Sequence, residues 1–255
     1  MLRNGSSKPN KSTKEAYERT YQAQPGKQMR HHFVRKALRR IMESGSPVRQ
    51  VLDVGCGTAE LTQYMLGLAP YISATGIDVS PTRIDAAKMR CPDVTFYISD
   101  IESFETQNSY DLITAIDVIE HIGDDQVALA KINRLLRSGG MLLLSTPHSM
   151  RYWTRMDETG GHYRRYSKVE LRTKLQQAGF NIMSMDTYGF PLPILWLYLK
   201  NLLNRFQRFN EQSLIDSRNS FVLRVSSLLK YLLFINVDVG LGLNLLIVAK
   251  KVDSV

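Results

Sequence analysis

Apolar residues recur along this 255-residue chain with two alternating periods, and the order of those periods predicts the fold. Phe33, Val34, Ala37, Leu38 and Ile41 fall at helical spacing, so 27–43 is expected as a helix, preceded by a shorter helical stretch at 13–24. Gly45-Ser46-Pro47 breaks that pattern. Short apolar runs then alternate with longer amphipathic ones. Strands are expected at 51–54, 72–77, 94–98, 110–116 and 141–145, with helices at 61–68, 81–89 and 125–136. After a loop rich in His, Tyr, Arg and Trp beyond Pro147 come a helix at 168–178, a strand at 181–187 and a last strand at 242–251. Apolar strands separated by helices make a parallel sheet covered on both faces. The expectation is an α/β fold with a seven-stranded, mostly parallel sheet and helices on both faces.

Residues 190–239 interrupt the alternation. Ile194, Leu195, Leu197, Tyr198, Leu202, Leu203, Phe206 and Phe209 suit one helix; Phe221, Val222, Val225, Leu228, Leu229, Leu232 and Leu233 suit a second. Arg205, Arg208, Arg218, Arg224 and Lys230 interleave with them. The longest uncharged run, 187–199, is too short for a bilayer span of about 20 apolar residues. The segment reads as a helical insertion between the last two strands. It suits a cap over an apolar acceptor, a surface for homo-oligomerisation, a peripheral contact with an anionic membrane, or a mere enlargement of the core. The cap is preferred.

Composition narrows the class. With 44% hydrophobic residues the chain can build a core, and two cysteines, Cys56 and Cys91, form neither a disulfide framework nor a metal-ligand spacing. A reducing, cytoplasmic setting follows, with the option of a peripheral position at a membrane. Residues 1–14 are polar, lack the apolar segment of a secretion signal and read as a disordered tail. A net charge of +9 points to an anionic partner: nucleic acid, a phosphorylated or carboxylated substrate, or an acidic membrane surface. Positive side chains gather at Arg30, Arg35, Lys36, Arg39 and Arg40, and again at Arg151, Arg155, Arg164, Arg165 and Lys168.

The most specific signal is Asp53-Val54-Gly55-Cys56-Gly57-Thr58, a buried strand entering a Gly-x-Gly turn before a helix. Glycine reaches backbone angles closed to other residues and lets a ligand approach the main chain. The following helix offers unpaired N–H groups to a negative group. The third glycine of the dinucleotide fingerprint is missing. Asp53, Asp78, Asp100 and Asp117 all fall at the carboxyl ends of strands, where ligands of such sheets sit.

The Asp53–Thr58 stretch resembles the first motif of class I S-adenosylmethionine (SAM)-dependent methyltransferases. Gly76-Ile77-Asp78-Val79-Ser80 resembles their second motif and Ser99-Asp100-Ile101 the third. Tyr110-Asp111-Leu112-Ile113, running on to Glu120-His121-Ile122, resembles the fourth, and Leu136-Arg137-Ser138-Gly139-Gly140-Met141-Leu142 the turn into strand five. The resemblance covers about residues 48–188 in order. It implies a Rossmann-like SAM-binding domain at 46–189 and 240–255, with the N-terminal helices of 15–45 as a lid carrying Tyr17 and Tyr21. It also implies that Asp53 orders the loop of Gly55, Cys56 and Gly57 near the methionyl end of SAM. Asp78, followed by Val79, would accept the ribose hydroxyls. Asp100 would take the adenine amino hydrogens while Ile101 packs on the ring, and Ile116 and Asp117 would line the cofactor from the next strand. Read without the family, Asp53 caps a turn, Asp78 caps the helix begun by Ser80-Pro81, and Cys56 is a small packed residue.

SAM carries a methyl group already activated on sulfur, so a base is needed only for a protonated acceptor. Imidazole titrates near neutrality, which makes His121, His148 and His162 the catalytic candidates. Their settings, Glu120-His121, Thr146-Pro147-His148 and Gly161-His162, resemble those of ubiquinone-pathway O-methyltransferases and small-molecule or saccharide methyltransferases. The Glu-His pair is also similar to that of metal-dependent RNA 2′-O-methyltransferases, but it equally serves relatives as a structural helix start, and no metal ligand is assigned here. The expected reaction is methyl transfer from SAM to an O or N atom of a small metabolite, lipophilic or acidic. The alternatives are an RNA methyltransferase, which the net charge and the basic, aromatic loop 151–166 would suit, and a SAM-binding regulatory protein without catalysis. Nucleic acid ranks lower because no RNA-binding module is recognisable.

Overall fold

The computed structural model describes residues 25–45, 48–189, 194 and 240–252. The chain opens with helix α1 (Pro25–Glu43) and then alternates β1 (Gln50–Val54), α2 (Glu60–Leu68), β2 (Ser73–Asp78), α3 (Pro81–Arg90), β3 (Thr95–Ile98) and β4 (Tyr110–Ile116). A 3-10 turn at Ile119–His121 leads to α4 (Asp125–Leu135) and β5 (Leu136–Pro147). A second 3-10 turn (Met150–Tyr152), α5 (Arg155–Thr159), α6 (Lys168–Gln177), β6 (Phe180–Tyr188) and β7 (Asn244–Lys251) complete it. The seven strands form one sheet in the order β3-β2-β1-β4-β5-β7-β6, parallel from β3 to β5, with β7 antiparallel to both its neighbours.

Strand residues alternate between two apolar layers because successive side chains point to opposite faces. Leu52, Val54, Ile113, Leu142 and Leu144 join α4 and α6 through Ala128, Leu129, Ile132, Leu171 and Leu175. Val51, Leu112 and Leu143 face the other way and meet Val34, Leu38 and Ile41 of α1 and Met65 of α2. Local chemistry starts the helices where the sequence places them. Ser80 caps α3 with Pro81 at its first position, Asp124 caps α4, and Ser167 caps α6.

Strand order reverses at β1. The chain winds outward through β2 and β3, then returns across β1 to β4. That reversal opens a crevice beyond the carboxyl ends of β1 and β4, the position at which ligands bind in open α/β sheets.

Three expectations need amendment. The helix over 25–43 is no loose lid: Met29, Val34, Leu38 and Ile41 are buried in the core, because the apolar stripe matches the face left open by β1, β4 and β5. Strand β5 starts five residues earlier than the expected 141, since Leu136 pairs with Tyr110 before a bulge shifts the register to Met141 and Leu112. The loop after Pro147 contains α5, started by a capping box between Thr154 and Asp157. The tail, the helix expected at 13–24 with Tyr17 and Tyr21, and the insertion at 190–239 apart from Ile194 lie outside the described residues. No helix among the described residues is long and apolar enough to cross a membrane.

Candidate functional site

The turn after β1 is shaped by left-handed backbone at alternate positions: Gly55 at φ +67°, Gly57 at +53° and Ala59 at +61°. At Gly55 a side chain would collide with Val118, whose Cγ2 lies 2.5 Å from where a Cβ would stand. At Gly57 a Cβ would meet nothing within 4 Å. One glycine is therefore demanded by packing, while the other leaves main chain facing open space. Asp78, at the end of β2, holds this arrangement. Its Oδ2 accepts the Gly57 N–H at 2.9 Å and its Oδ1 the Ser80 N–H at 2.8 Å.

Asp53 is buried beneath the turn. Its two oxygens accept the Thr62 hydroxyl at 2.7 Å and the Thr114 hydroxyl at 2.6 Å, tying β1 to α2 and β4. Burial raises its pKa against the opposing pull of the two threonines. Cys56 is buried and its thiol is pushed up by burial and by the carboxylates Asp53 and Asp78, which fits a packed loop residue and not a nucleophile. Asp100 is exposed and accepts the Ser103 N–H at 2.6 Å. Ile101 is buried in the core beside Phe104, while Val79 stands out at 66% exposure.

At the end of β4, Ile116 is half-buried and Asp117 adopts φ +54°, an uncommon conformation for a residue with a side chain. Asp117 Oδ2 pairs with Arg30 of α1 at 2.5 Å. Its Oδ1 is buried with no partner among the described residues. The 3-10 turn that follows sets Glu120 inward and His121 outward.

The structure brings His121 and His162 together, although 41 residues separate them in the chain: the rings meet edge to face with centroids 4.6 Å apart. Glu120 lies with them, and one ligand-type atom from each of the three residues falls within 4.8 Å of the others. Glu120 is fully buried, with Oε2 accepting the Thr146 hydroxyl at 3.0 Å. Burial and then the charge of Asp117 raise its pKa well above the carboxylate range. Partial burial and the neighbouring imidazole of His162 lower the pKa of His121. His162 Nδ1 lies 2.9 Å from Oδ1 of buried Asp157, which also takes a two-pronged pair from Arg165.

His148 does not join them. It is buried with Nδ1 2.7 Å from the Gly242 carbonyl, and its N–H donates to the Leu243 carbonyl, so it pins the end of β5 to the approach of β7. Its place among the catalytic candidates is withdrawn on that geometry. Sequence reasoning passed over Asp157, Asp125 and Arg30. Asp125 receives Tyr166, Arg164 and Lys174, each at 2.7 Å, and so anchors the loop that carries His162. The Thr154-x-x-Asp157 spacing of a capping box was a readable sign of Asp157; Arg30 showed only as a member of the basic cluster on its helix.

An open α/β sheet reversing at β1, with a glycine turn at the crevice, an acid closing each neighbouring strand and a histidine pair opposite, defines a nucleotide-type binding domain with a second, chemically equipped half. The sequence model of the methyltransferase-domain family matches residues 26–185, well over half of the chain, so the chain belongs to that family. It is 32% identical over 122 residues to a malonyl-[acyl-carrier protein] O-methyltransferase of Bacillus cytotoxicus, covering 47% of this chain and 42% of that one. It is 29% identical over 103 residues to a trans-aconitate 2-methyltransferase of Enterobacter sp., covering 40% and 41%. The matches thus span less than half the length of these two relatives. Among solved structures, the N-methyltransferase NodS of Bradyrhizobium japonicum in complex with S-adenosyl-l-homocysteine (SAH) superposes with a TM-score of 0.56 at 17% identity, covering 88% of each chain. A putative sarcosine dimethylglycine methyltransferase from Galdieria sulphuraria gives a TM-score of 0.60 at 13% identity, covering 87% of this chain and 86% of that one.

Proposed function

We propose that this chain is a SAM-dependent methyltransferase that moves a methyl group to an O or N atom of a small metabolite. The observation that carries this reading is the Gly55–Gly57 turn: main chain kept open at Gly57 and locked to Asp78 at the switch point of the sheet. When bound, SAM would supply a methyl group made electrophilic by its sulfonium. Asp78 keeps lone pairs beyond those used by Gly57 and Ser80, which suits it to ribose hydroxyls. Asp100, exposed beyond β3, and Asp117, with an unpartnered Oδ1, complete the acceptors ranged along this crevice. Asp53 works from beneath, fixing the turn through two threonines. The relatives named for malonyl-acyl carrier and trans-aconitate substrates support a carboxylate-bearing metabolite as acceptor.

The acceptor side falls to Glu120, His121 and His162. Val118, packed on Gly55, stands one turn before them, so the two halves share a wall. An acceptor O–H or N–H would meet this cluster. Residues 190–239 are proposed as a cap over the acceptor. In support, Tyr188 pairs with Asn244 and Asn244 with Pro147, so the segment leaves and rejoins the sheet at the carboxyl end of β5, on the side of the site.

Calorimetric titration with SAM and SAH tests the reading. Asp78→Ala removes at least one charge-assisted hydrogen bond worth about 1.5–3 kcal/mol, so affinity should fall by at least roughly 10- to 150-fold. Unchanged affinity in that variant, or no SAM binding by the wild type, refutes the assignment. Transfer of labelled methyl into fractionated metabolite pools then identifies the acceptor.

A further inference from the structure

The cluster at the end of β4 has one property that hydrogen bonding within the described chain does not account for. Glu120 is fully buried, Thr146 satisfies its Oε2, and Oε1 has no partner among the described residues. An isolated buried carboxylate oxygen is costly. Protonating Oε1 does not remove the cost, since it exchanges an unpaired acceptor for an unpaired donor. A cation or a donor beside Oε1 removes that cost.

The histidines are arranged to the same end. His162 Nδ1 faces Asp157, an acid that is buried and held by Arg165 and by Thr154. That partner makes Nδ1 the protonated nitrogen and leaves the Nε2 lone pair available. His121 Nδ1 faces the Gly161 carbonyl at 3.4 Å, with the same consequence. A carboxylate or carbonyl fixing one imidazole nitrogen while the other stays open is the outer arrangement of metal-bound histidine. One ligand-type atom from each of the three residues lies within 4.8 Å of the others. Around one ion with bonds of about 2.1 Å they would stand roughly 3.4 Å apart, a contraction that side-chain rotation covers.

We propose that Glu120, His121 and His162 bind one divalent transition-metal ion, with Asp157 orienting His162 for the purpose. One oxygen and two imidazole nitrogens suit Zn2+, Mn2+, Fe2+ or Co2+ over the all-oxygen preference of Mg2+ and Ca2+. Three protein ligands leave coordination positions open, as in sites that engage substrate. A bound ion satisfies Glu120 Oε1 and lies beside the wall shared with the glycine turn. It can take an acceptor oxygen as a further ligand and lower its pKa, with the released proton passing to water. That use rests on the methyltransferase reading; the binding of the ion does not.

The test uses the full chain without an affinity tag, stripped with a chelator and dialysed. Co2+ is titrated while its visible absorption is followed, Zn2+ is added in competition, and SAH binding is measured in parallel by calorimetry. One Co2+ per chain with a ligand-field band, displaced by Zn2+, is expected. His121→Ala, His162→Ala and Glu120→Gln should each weaken Co2+ binding at least tenfold, and Asp157→Asn by about 10- to 100-fold. Glu120→Gln keeps the bond to Thr146, and exposed His121 can be replaced without opening the core, so at least one variant tests the ligands in a folded protein. Absence of stoichiometric uptake by the wild type overturns the proposal, and so does uptake unchanged in the His121→Ala/His162→Ala double variant. Ion binding without SAH binding refutes the methyltransferase reading alone, and SAH binding without ion uptake refutes the metal site alone.

Discussion

Two glycines two residues apart in one turn should respond to alanine in opposite ways. Both have positive φ, so alanine at either position pays the left-handed cost of about 1–2 kcal/mol. Only Gly55 adds a collision, because its new methyl would stand 2.5 Å from Val118 Cγ2. Overpacking of that kind costs about 1–3 kcal/mol more, giving about 2–5 kcal/mol for Gly55→Ala against about 1–2 kcal/mol for Gly57→Ala. Affinity should run the other way relative to stability. The Gly57 methyl enters the open space through which a cofactor would approach, so SAH affinity should fall at least tenfold, about 1.4 kcal/mol, for a smaller loss of stability than Gly55→Ala causes. Urea unfolding of the single variants and of Gly55→Ala/Val118→Ala measures the first part. Removing Cγ2 relieves the collision, so the two changes should couple by about 1 kcal/mol or more, as residues in contact do. Equal destabilisation by the two alanines, or additivity of Gly55→Ala with Val118→Ala within about 0.5 kcal/mol, would show that the turn is not packed as described.

Thr114→Val should destabilise by about 1.5–3 kcal/mol, since it removes a buried hydroxyl from the Asp53 carboxylate while preserving shape; a urea midpoint equal to that of the wild type would sink the bracing role of Asp53. Asp125 provides a pH signature. Burial alone would raise its pKa, but Lys174, Tyr166 and Arg164 outweigh burial and hold the carboxyl below the usual range. A depressed folded pKa contributes stability that is fully present above the unfolded value of about 3.9 and is lost as pH falls through the folded value. Wild-type stability should therefore drop more steeply with acid below about pH 4 than that of Asp125→Asn, and parallel pH profiles would contradict the assignment.

How far the sequence spoke depended on how local each feature is. The glycine turn and its acid occupy six consecutive residues, Asp53 to Thr58, and the strand and helix periods around them fall within windows of a dozen residues. Strand β4 spans the expected residues because Tyr110–Ile116, apolar except for Asp111 and Thr114, lies between polar loops. Strand β5 did not, since Leu136 pairs with Tyr110 across a register shift that no local period in the sequence announces. His121 and His162 were legible as imidazoles but not as a pair, because their meeting depends on Asp157 and on the Asp125 anchor. His148 shared their sequence context, yet a carbonyl 94 residues away claimed its ring.

The same locality separates the two halves of the site in kind. The cofactor half is one turn braced from beneath by Asp53 and from the side by Asp78, so a few adjacent residues determine its shape. The other half, proposed for the acceptor, joins Glu120 and His121 to loop 148–166, and two buried carboxylates hold that loop in place. Asp157 closes it on itself through Thr154, His162 and Arg165, while Asp125 fastens its far end through Arg164 and Tyr166 to α4. Each carboxylate gathers at least three donors, so their loss would release the histidines and not merely weaken one contact. The loop is thus a fixed wall beside the cofactor turn, held by charge and burial at Asp157 and at Asp125.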